Sequence, residues 1–189
     1  MSAGRWKAVA EELNVFTLSH RAPSQCRDSF RVIAGVLSAA LPWAEVEHVG
    51  STAVPECLTK GDLDVLVRVE RPDFQRSGRI LDELLVCSTR NARTDEYAEY
   101  DYAADTVSAS VQLVVAGGSL DDHFHRLKAI LTSDPAAREA YNSLKLRHDG
   151  RDMDAYRRAK KRLIDSLLVL DAASRDDSDG ASLRPGIRE

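Results

Sequence analysis

The chain is short of the residues that build special folds. Its three cysteines, Cys26, Cys57 and Cys87, are odd in number and well separated, so neither a disulfide framework nor a zinc knuckle is implied. No apolar run approaches the ~18 residues that a membrane-spanning helix needs. The opening stretch MSAGRWKAVAEELN lacks the apolar centre of a signal peptide. A cytoplasmic protein with reduced thiols and no membrane partner is the expectation. An excess of positive charge is missing too: the net charge is −4 and the pI is near 5.8. Long-range attraction to nucleic acid is therefore not favoured. RNA stays open as a partner only through the basic stretch Arg157-Arg158-Lys160-Lys161-Arg162, which also reads as a solvated helix face. Internal repeats are absent.

What is present fits one well-buried domain. The 189 residues are 43% apolar and 30% charged. Residues 1–22 read as an arm or short leading helix. From Pro23, Phe30, Ile33, Ala34, Leu37 and Leu41 recur at helical spacing, and Pro42 ends the run. Residues 44–49, AEVEHV, alternate like a short strand. GSTAVP is a tight turn with room for one brief helical turn before Pro55. Residues 62–69, DLDVLVRV, form the clearest strand. Pro72 and Asp73 start a helix carrying Phe74, Ile80, Leu81, Leu84 and Leu85, although Gly78 weakens it. YAEYDY (97–102) and VSASVQLVV (107–115) read as two strands of a hairpin, broken by Gly117-Gly118.

The remainder is helical by pattern: from Ser119 to about 132, from Asp134-Pro135 to about 147, and from Asp152 or Asp154 to about 171. The tail from 172 to 189 is polar and aperiodic, and disorder is expected there. The order predicts an α/β (α+β) fold. Residues 23–118 would form a small mixed sheet flanked by helices, and residues 119–171 a helical cluster packed on it.

The chemistry concentrates in two short segments. In the 62–69 strand, Leu63, Val65, Val67 and Val69 share one face, leaving Asp62 and Asp64 on the other with Leu66 and Arg68. Two carboxylates facing the same way repel unless a cation sits between them. Oxygen ligands of this kind suit Mg²⁺ or Mn²⁺. An Asp-x-Asp also occurs on plain solvated strand faces, though Asp is depleted in strands. Ten residues upstream, Gly50-Ser51 ends the preceding strand. Glycine permits close backbone approach, and serine supplies a hydroxyl and an amide to a phosphate.

The lysines add to this. In the last helix Tyr156, Ala159, Leu163, Leu167 and Leu170 define the apolar stripe, and Lys160 falls inside it. A core-side lysine is costly unless paired, which points Lys160 at a nucleotide's phosphates or at Asp62 and Asp64. Lys128 and Lys145 lie at the edges of their stripes, where snorkelling is an equal alternative. Lys60 directly precedes the Asp strand. His48, before the Gly-Ser turn, either touches a phosphate or caps the turn. His123 and His125 are two residues apart and do not share a helix face. The tyrosines at 97, 100 and 102 read as sheet residues.

A strand, Gly-Ser, ten residues and then Asp-apolar-Asp-apolar on a second strand resembles the signature of the nucleotidyltransferase superfamily. HVGSTAVP followed by Lys60 and Asp64 is similar to the GrpB family within it, which carries a histidine, Gly-Ser-Thr, Val-Pro, a Lys and an Ile-Asp strand. LKAILTSDP (127–135), then Tyr141, Leu144 and Lys145, then Asp154, Tyr156 and Lys160, match that family's closing helices in order. The resemblance covers roughly residues 30–170.

It implies a nucleotidyltransferase-like fold that binds a nucleoside triphosphate with Mg²⁺ or Mn²⁺ and passes a nucleotidyl group to an unknown acceptor. Asp62 and Asp64 would hold the metal. Gly50, Ser51, Lys60, Lys128, Lys145 and Lys160 would hold the nucleotide. Two departures bear on activity. Active relatives in the superfamily add a third carboxylate on a later strand, where this chain offers Gln112 and GrpB relatives carry histidines. Glutamine hydrogen-bonds or ligates weakly but is no general base at neutral pH. Conversely, many GrpB relatives have an apolar residue at the position of Asp62 and a proline at that of Gly61. The alternative is a non-catalytic nucleotide- or cofactor-binding module of the same fold. GrpB-like segments fused to a dephospho-coenzyme A kinase make that helper role credible.

Overall fold

The computed structural model describes residues 14–19, 23–104 and 107–181. Its centre is a five-stranded sheet built from β2 (Glu45–Val49), β3 (Leu63–Val69), β4 (Val86–Cys87), β5 (Tyr97–Ala104) and β6 (Val107–Val115). The spatial order is β2-β3-β6-β5-β4. β3 and β6 run parallel, while the pairs β2/β3, β5/β6 and β4/β5 are antiparallel. The mixed α/β architecture with flanking helices is the one expected.

Helix α1 (Pro23–Ala40) and helix α2 (Phe74–Leu84) cover one face. Ile33, Leu37, Leu41, Phe74 and Leu81 pack there against Val65, Val67, Val111, Leu113 and Tyr100. This apolar seam fixes the register of β3: a slip by one residue would drive both aspartates into the core. Gly78 is buried in α2 because the Tyr100 hydroxyl donates to its carbonyl at 3.1 Å and Arg93 lies beside it. The close approach accounts for a glycine inside a helix.

The opposite face is mixed. Val49, Leu66, Tyr97 and Val114 form a small apolar cluster with Phe124. Helices α3 (Ser119–Ser133), α4 (Pro135–His148) and α5 (Met153–Ala181) pack on one another, and α3 also meets β2 and β6. Asp134 caps α4 by accepting from the amides of Ala136 and Ala137, with Pro135 in the first turn. Val54 of the Gly-Ser turn is sealed under Leu131 and Tyr141.

Several expectations need correcting. The leading segment is not helical where it is described: β1 (Val15–Phe16) pairs antiparallel with β7 (Arg151–Asp152), and Phe16 stacks on Tyr156 at 3.8 Å. The rest of the expected arm lies outside the described residues. The last helix does not stop near 171 but runs to Ala181, where Asp171 pairs with Arg126 and Arg175. Of the tail from 172 to 189, residues 182–189 lie outside the described residues. Leu170, placed on the apolar stripe by periodicity, is 64% exposed, whereas Ile164 is buried. The segment after Pro72 begins as one turn of 3₁₀ helix, Arg71–Asp73, before α2.

Candidate functional site

β2 delivers its C-terminal end beside the N-terminal end of β3, with Val49 paired to Asp64. Gly50 follows immediately at φ +71°, leading into a single 3₁₀ turn, Ser51–Ala53. The positive φ suits glycine, and space requires it as well: a Cβ on residue 50 would fall 2.7 Å from Asp64 Cγ. The Gly-Ser turn and the second aspartate therefore touch. His48 bonds Thr52 Oγ1 across this turn at 2.9 Å and stacks on Phe30 at 4.8 Å. Burial, then the charges of Lys128 and Arg27, lowers its pKa to about 4. The imidazole is accordingly neutral at physiological pH, and it caps the turn.

Asp64 is partly buried. Burial pushes its carboxyl above the ordinary carboxylate range, against the pull of Lys160 and Lys60, while Asp62 adds to the rise. Lys60 forms an ion pair with Asp62. Lys160 reaches the same place from α5, its charge acting on Asp64, Cys57, Lys145 and Tyr156. The structure thus brings Gly50, Lys60, Asp62, Asp64 and Lys160 together from four elements.

The other two lysines work differently. Lys128 of α3 donates to the carbonyl of His48 at 2.9 Å. Lys145 is 1% exposed, donates to the carbonyl of Leu58, lies 3.6 Å from Cys57 Sγ and sits 4.0 Å over the Tyr141 ring. Burial lowers its pKa to about 8. Both ammonium groups hold the backbone on either side of the Gly-Ser turn.

Gln112 lies on β6, on the same sheet face as Asp64 and Ser110, and is 5% exposed. Its Nε2 donates to Ser110 Oγ at 2.9 Å, and its amide also favours the charged form of Asp64. Its Oε1 is buried with no hydrogen-bond partner, alone in this among the described residues. Sequence pattern does not single out Glu99, which lies opposite Gln112 on β5 and is 7% exposed. A carboxylate in YAEYDY reads as an outward strand position. Its burial depends on Arg90, Asn91 and Ser110, partners that no spacing rule reveals.

The oxygen donors that would hold a divalent cation here are the two carboxylates one residue apart, Asp62 and Asp64. Among the described residues, no group of three or more His, Cys, Asp and Glu side chains gathers to hold a metal. A cation would rest on these two carboxylates, since the Gln112 amide presents its N–H to Asp64. That donor set fits Mg²⁺ or Mn²⁺, which keep several waters.

His125, away from this cluster, bridges Glu47 at 2.9 Å and the Asp121 carbonyl at 2.9 Å.

The model of the family described as GrpB protein matches residues 20–169. The UPF0157 protein VC_A0354 of Vibrio cholerae is 30% identical over 146 residues, covering 77% of each chain. The crystal structure of the conserved protein GrpB from Enterococcus faecalis superposes with a TM-score of 0.57 at 18% identity, spanning 80% of this chain and 99% of that one. A structure of Cid1, an RNA terminal uridylyl transferase, overlaps more loosely, with a TM-score of 0.48 at 15% identity over 77% of this chain and 46% of that one. The span of the family match and the identity to the Vibrio relative place this chain in the GrpB family.

Proposed function

We propose that the chain binds a nucleoside triphosphate with a divalent metal and transfers its nucleotidyl group to an acceptor hydroxyl or amine. One observation carries the reading: the Gly50 turn lies against Asp64 where the charges of Lys60 and Lys160 converge. Asp62 and Asp64 hold the cation. Gly50 and Ser51 let the triphosphate approach the backbone, and Lys60 and Lys160 neutralise its charge. Lys128 and Lys145 support the site by fixing the carbonyls of His48 and Leu58. When bound, the metal supplies charge stabilisation at the α-phosphorus. The acceptor oxygen or nitrogen forms a bond to that phosphorus and gives up its proton to water, the α–β phosphoanhydride bond breaks, and pyrophosphate leaves with the electron pair. Among the described residues no helix is long and apolar enough to cross a membrane.

The test is triphosphate binding with and without Mg²⁺, in the wild type and in the Asp62→Ala, Asp64→Ala double variant. Mg²⁺-dependent binding that the double variant loses supports the reading. Equal affinity in both proteins removes the metal role.

A second reading keeps the binding and drops the chemistry. Gln112 in place of a carboxylate favours it, because an amide cannot take a proton from the acceptor at neutral pH. Incubation of the protein with labelled triphosphates and cell extract separates the two. Transfer of label that depends on Asp64 excludes the non-catalytic module.

A further inference from the structure

The three cysteines sit in different surroundings. Cys26 is 1% exposed in the apolar core, and Cys87 is exposed beside the Ser88 carbonyl. Cys57 is half-buried, and its Sγ lies 3.6 Å from Lys145 Nζ on α4. That nitrogen also donates to the Leu58 carbonyl and lies 4.0 Å from the centre of the Tyr141 ring. A neutral amine has two N–H groups and one lone pair. The Leu58 carbonyl and the Tyr141 face take the N–H groups, which leaves the lone pair for sulfur.

The contact is held from both sides of the cysteine. Asn142, one helical turn before Lys145, donates from Nδ2 to the Glu56 carbonyl at 2.9 Å and accepts the Leu58 amide on Oδ1 at 2.8 Å. Arg138 pairs with the Glu56 carboxylate at 3.0 Å. Glu56 itself adopts φ +61°, a left-handed conformation that residues other than glycine seldom take. Three side chains of α4 thus grip residues 56–58 and keep Sγ facing Nζ.

The two groups suit each other chemically. Burial lowers the Lys145 pKa to about 8, so a share of the molecules carries a neutral, nucleophilic amine at physiological pH. Burial raises the Cys57 thiol, against the pull of Lys145, Arg138 and Lys160. Oxidation of the sulfur is therefore the slow step, and capture by the amine is the fast one. That capture is intramolecular, over a distance close to the roughly 3–3.5 Å from which bonds form.

We propose that Cys57 and Lys145 form a peroxide-driven covalent bridge, a sulfenamide that ties the segment after the Gly-Ser turn to α4. The peroxide O–O bond breaks, the sulfur takes one oxygen as a sulfenic acid, and water leaves. Lys145 Nζ then attacks that sulfur. The S–O bond breaks with its electron pair on oxygen, the amine passes one proton to the departing hydroxide, and a second water leaves. In sum the chain loses two hydrogen atoms and one hydrogen peroxide becomes two waters. Two small thiols reverse the step: they become a disulfide and return the free thiol and amine. The bridge removes the Lys145 charge, with which Asp64 interacts, and so couples peroxide to the candidate site. It requires neither metal nor nucleotide.

The experiment treats the Cys26→Ala/Cys87→Ser protein, in which Cys57 is the one thiol left, with hydrogen peroxide. Intact mass and a tryptic map are read. The mass should fall by two hydrogen atoms, residues 57 and 145 should appear in one linked peptide, and dithiothreitol should restore the starting mass. With a single thiol in the chain, an internal disulfide cannot produce that loss. Lys145→Arg in the same background should give no link, and its sulfenic acid should be captured by dimedone, because a guanidinium is not a nucleophile. An unchanged mass overturns the proposal. So do oxygen-bearing sulfur without a link, a linked pair that retains the oxygen, and an equal loss of two hydrogen atoms in Lys145→Arg. Should either variant fail to fold, the peptide map of the peroxide-treated wild type decides, since the linked pair is identified there directly.

Discussion

Gly50 lies directly against Asp64: a Cβ on residue 50 would fall 2.7 Å from Asp64 Cγ and 2.8 Å from its Cβ. Two independent demands meet at this one position. The backbone needs φ +71°, and the neighbouring strand leaves no room for a methyl group. Gly50→Ala must strain the turn and push Asp64 aside. The expected cost is about 1–3 kcal/mol of stability from the backbone alone. Because Asp64 is displaced too, Mg²⁺-dependent triphosphate binding should fall more than the stability loss explains. Urea unfolding and nucleotide titration of the same preparation check both parts. Gly35→Ala is the control, since nothing lies within 4 Å of a Cβ there.

Lys145 predicts an unusual pH dependence. Its pKa is lowered from 10.5 to about 8 by burial. Between those two values the unfolded chain carries the proton and the folded one does not, so this group makes stability rise with pH across that window. The penalty for the buried charge is fully present below about pH 8 and is relieved by pH 10.5. It amounts to roughly 3 kcal/mol at most. Lys145→Met removes it. The stability of the wild type minus that of Lys145→Met should therefore grow between pH 7 and pH 10 in urea titrations. A difference that stays flat would show that the lysine is not desolvated.

How much of this was legible beforehand depends on the range of the interaction. Strand β3 was readable because alternation is a local signal: Leu63, Val65, Val67 and Val69 are all buried, and Asp64 turns the other way. Gly50-Ser51 and the aspartates were readable as a pair because both sit at strand ends. The paired strands β1 and β7 have two residues each, too short to carry a period. Lys145 and Lys128 stood at stripe edges, but no spacing could show that they donate to carbonyls 87 and 80 residues away. Glu99 was invisible for the same reason, since its neutralising partners come from the loop before β5 and from β6. Helix α5 runs past its apolar stripe to Ala181, and Asp171 pairs there with Arg126 and Arg175, contacts that periodicity does not encode.

Lys160 and the two loop-holding lysines should separate cleanly on substitution. Lys160 acts on Asp64 by charge, whereas Lys128 and Lys145 each fasten a carbonyl. Lys160→Ala should weaken triphosphate binding by about tenfold, the equivalent of 1.4 kcal/mol. It should shift the thermal midpoint little. Lys128→Ala should lower the midpoint and weaken binding together, because the end of β2 loses its anchor. Measuring midpoint and affinity on both variants tests the assignment. A large loss of stability in Lys160→Ala would mean that this lysine is structural as well.

The far end of the sheet is held by charge rather than by apolar packing. Arg68 donates from Nε to Asp121 Oδ1 at 2.6 Å and from Nη2 to Oδ2 at 2.9 Å, and it pairs with Glu45 and Glu47. Asp121 is 3% exposed, and its Oδ2 also accepts the Gly117 amide at 2.8 Å. Against the cost of burial, the Arg68 and Gly117 donors hold its carboxyl below the ordinary value of 3.8. A folded pKa below the unfolded one stabilises the protein above about pH 4, and that contribution is lost as pH falls through the folded value. Asp121→Ala leaves Arg68 without its bidentate partner and should cost about 3–5 kcal/mol at pH 7. The gap between wild type and Asp121→Ala should narrow as pH falls below 4, because the wild type then loses the same charge. Arg68→Met should be far milder in the Asp121→Ala background than in the wild type, since the pair is already broken. Urea unfolding at pH 7 and pH 3 for the four proteins of that cycle measures the coupling directly, and a coupling energy near zero would mean that α3 is held to the sheet by Phe124 and its apolar neighbours instead.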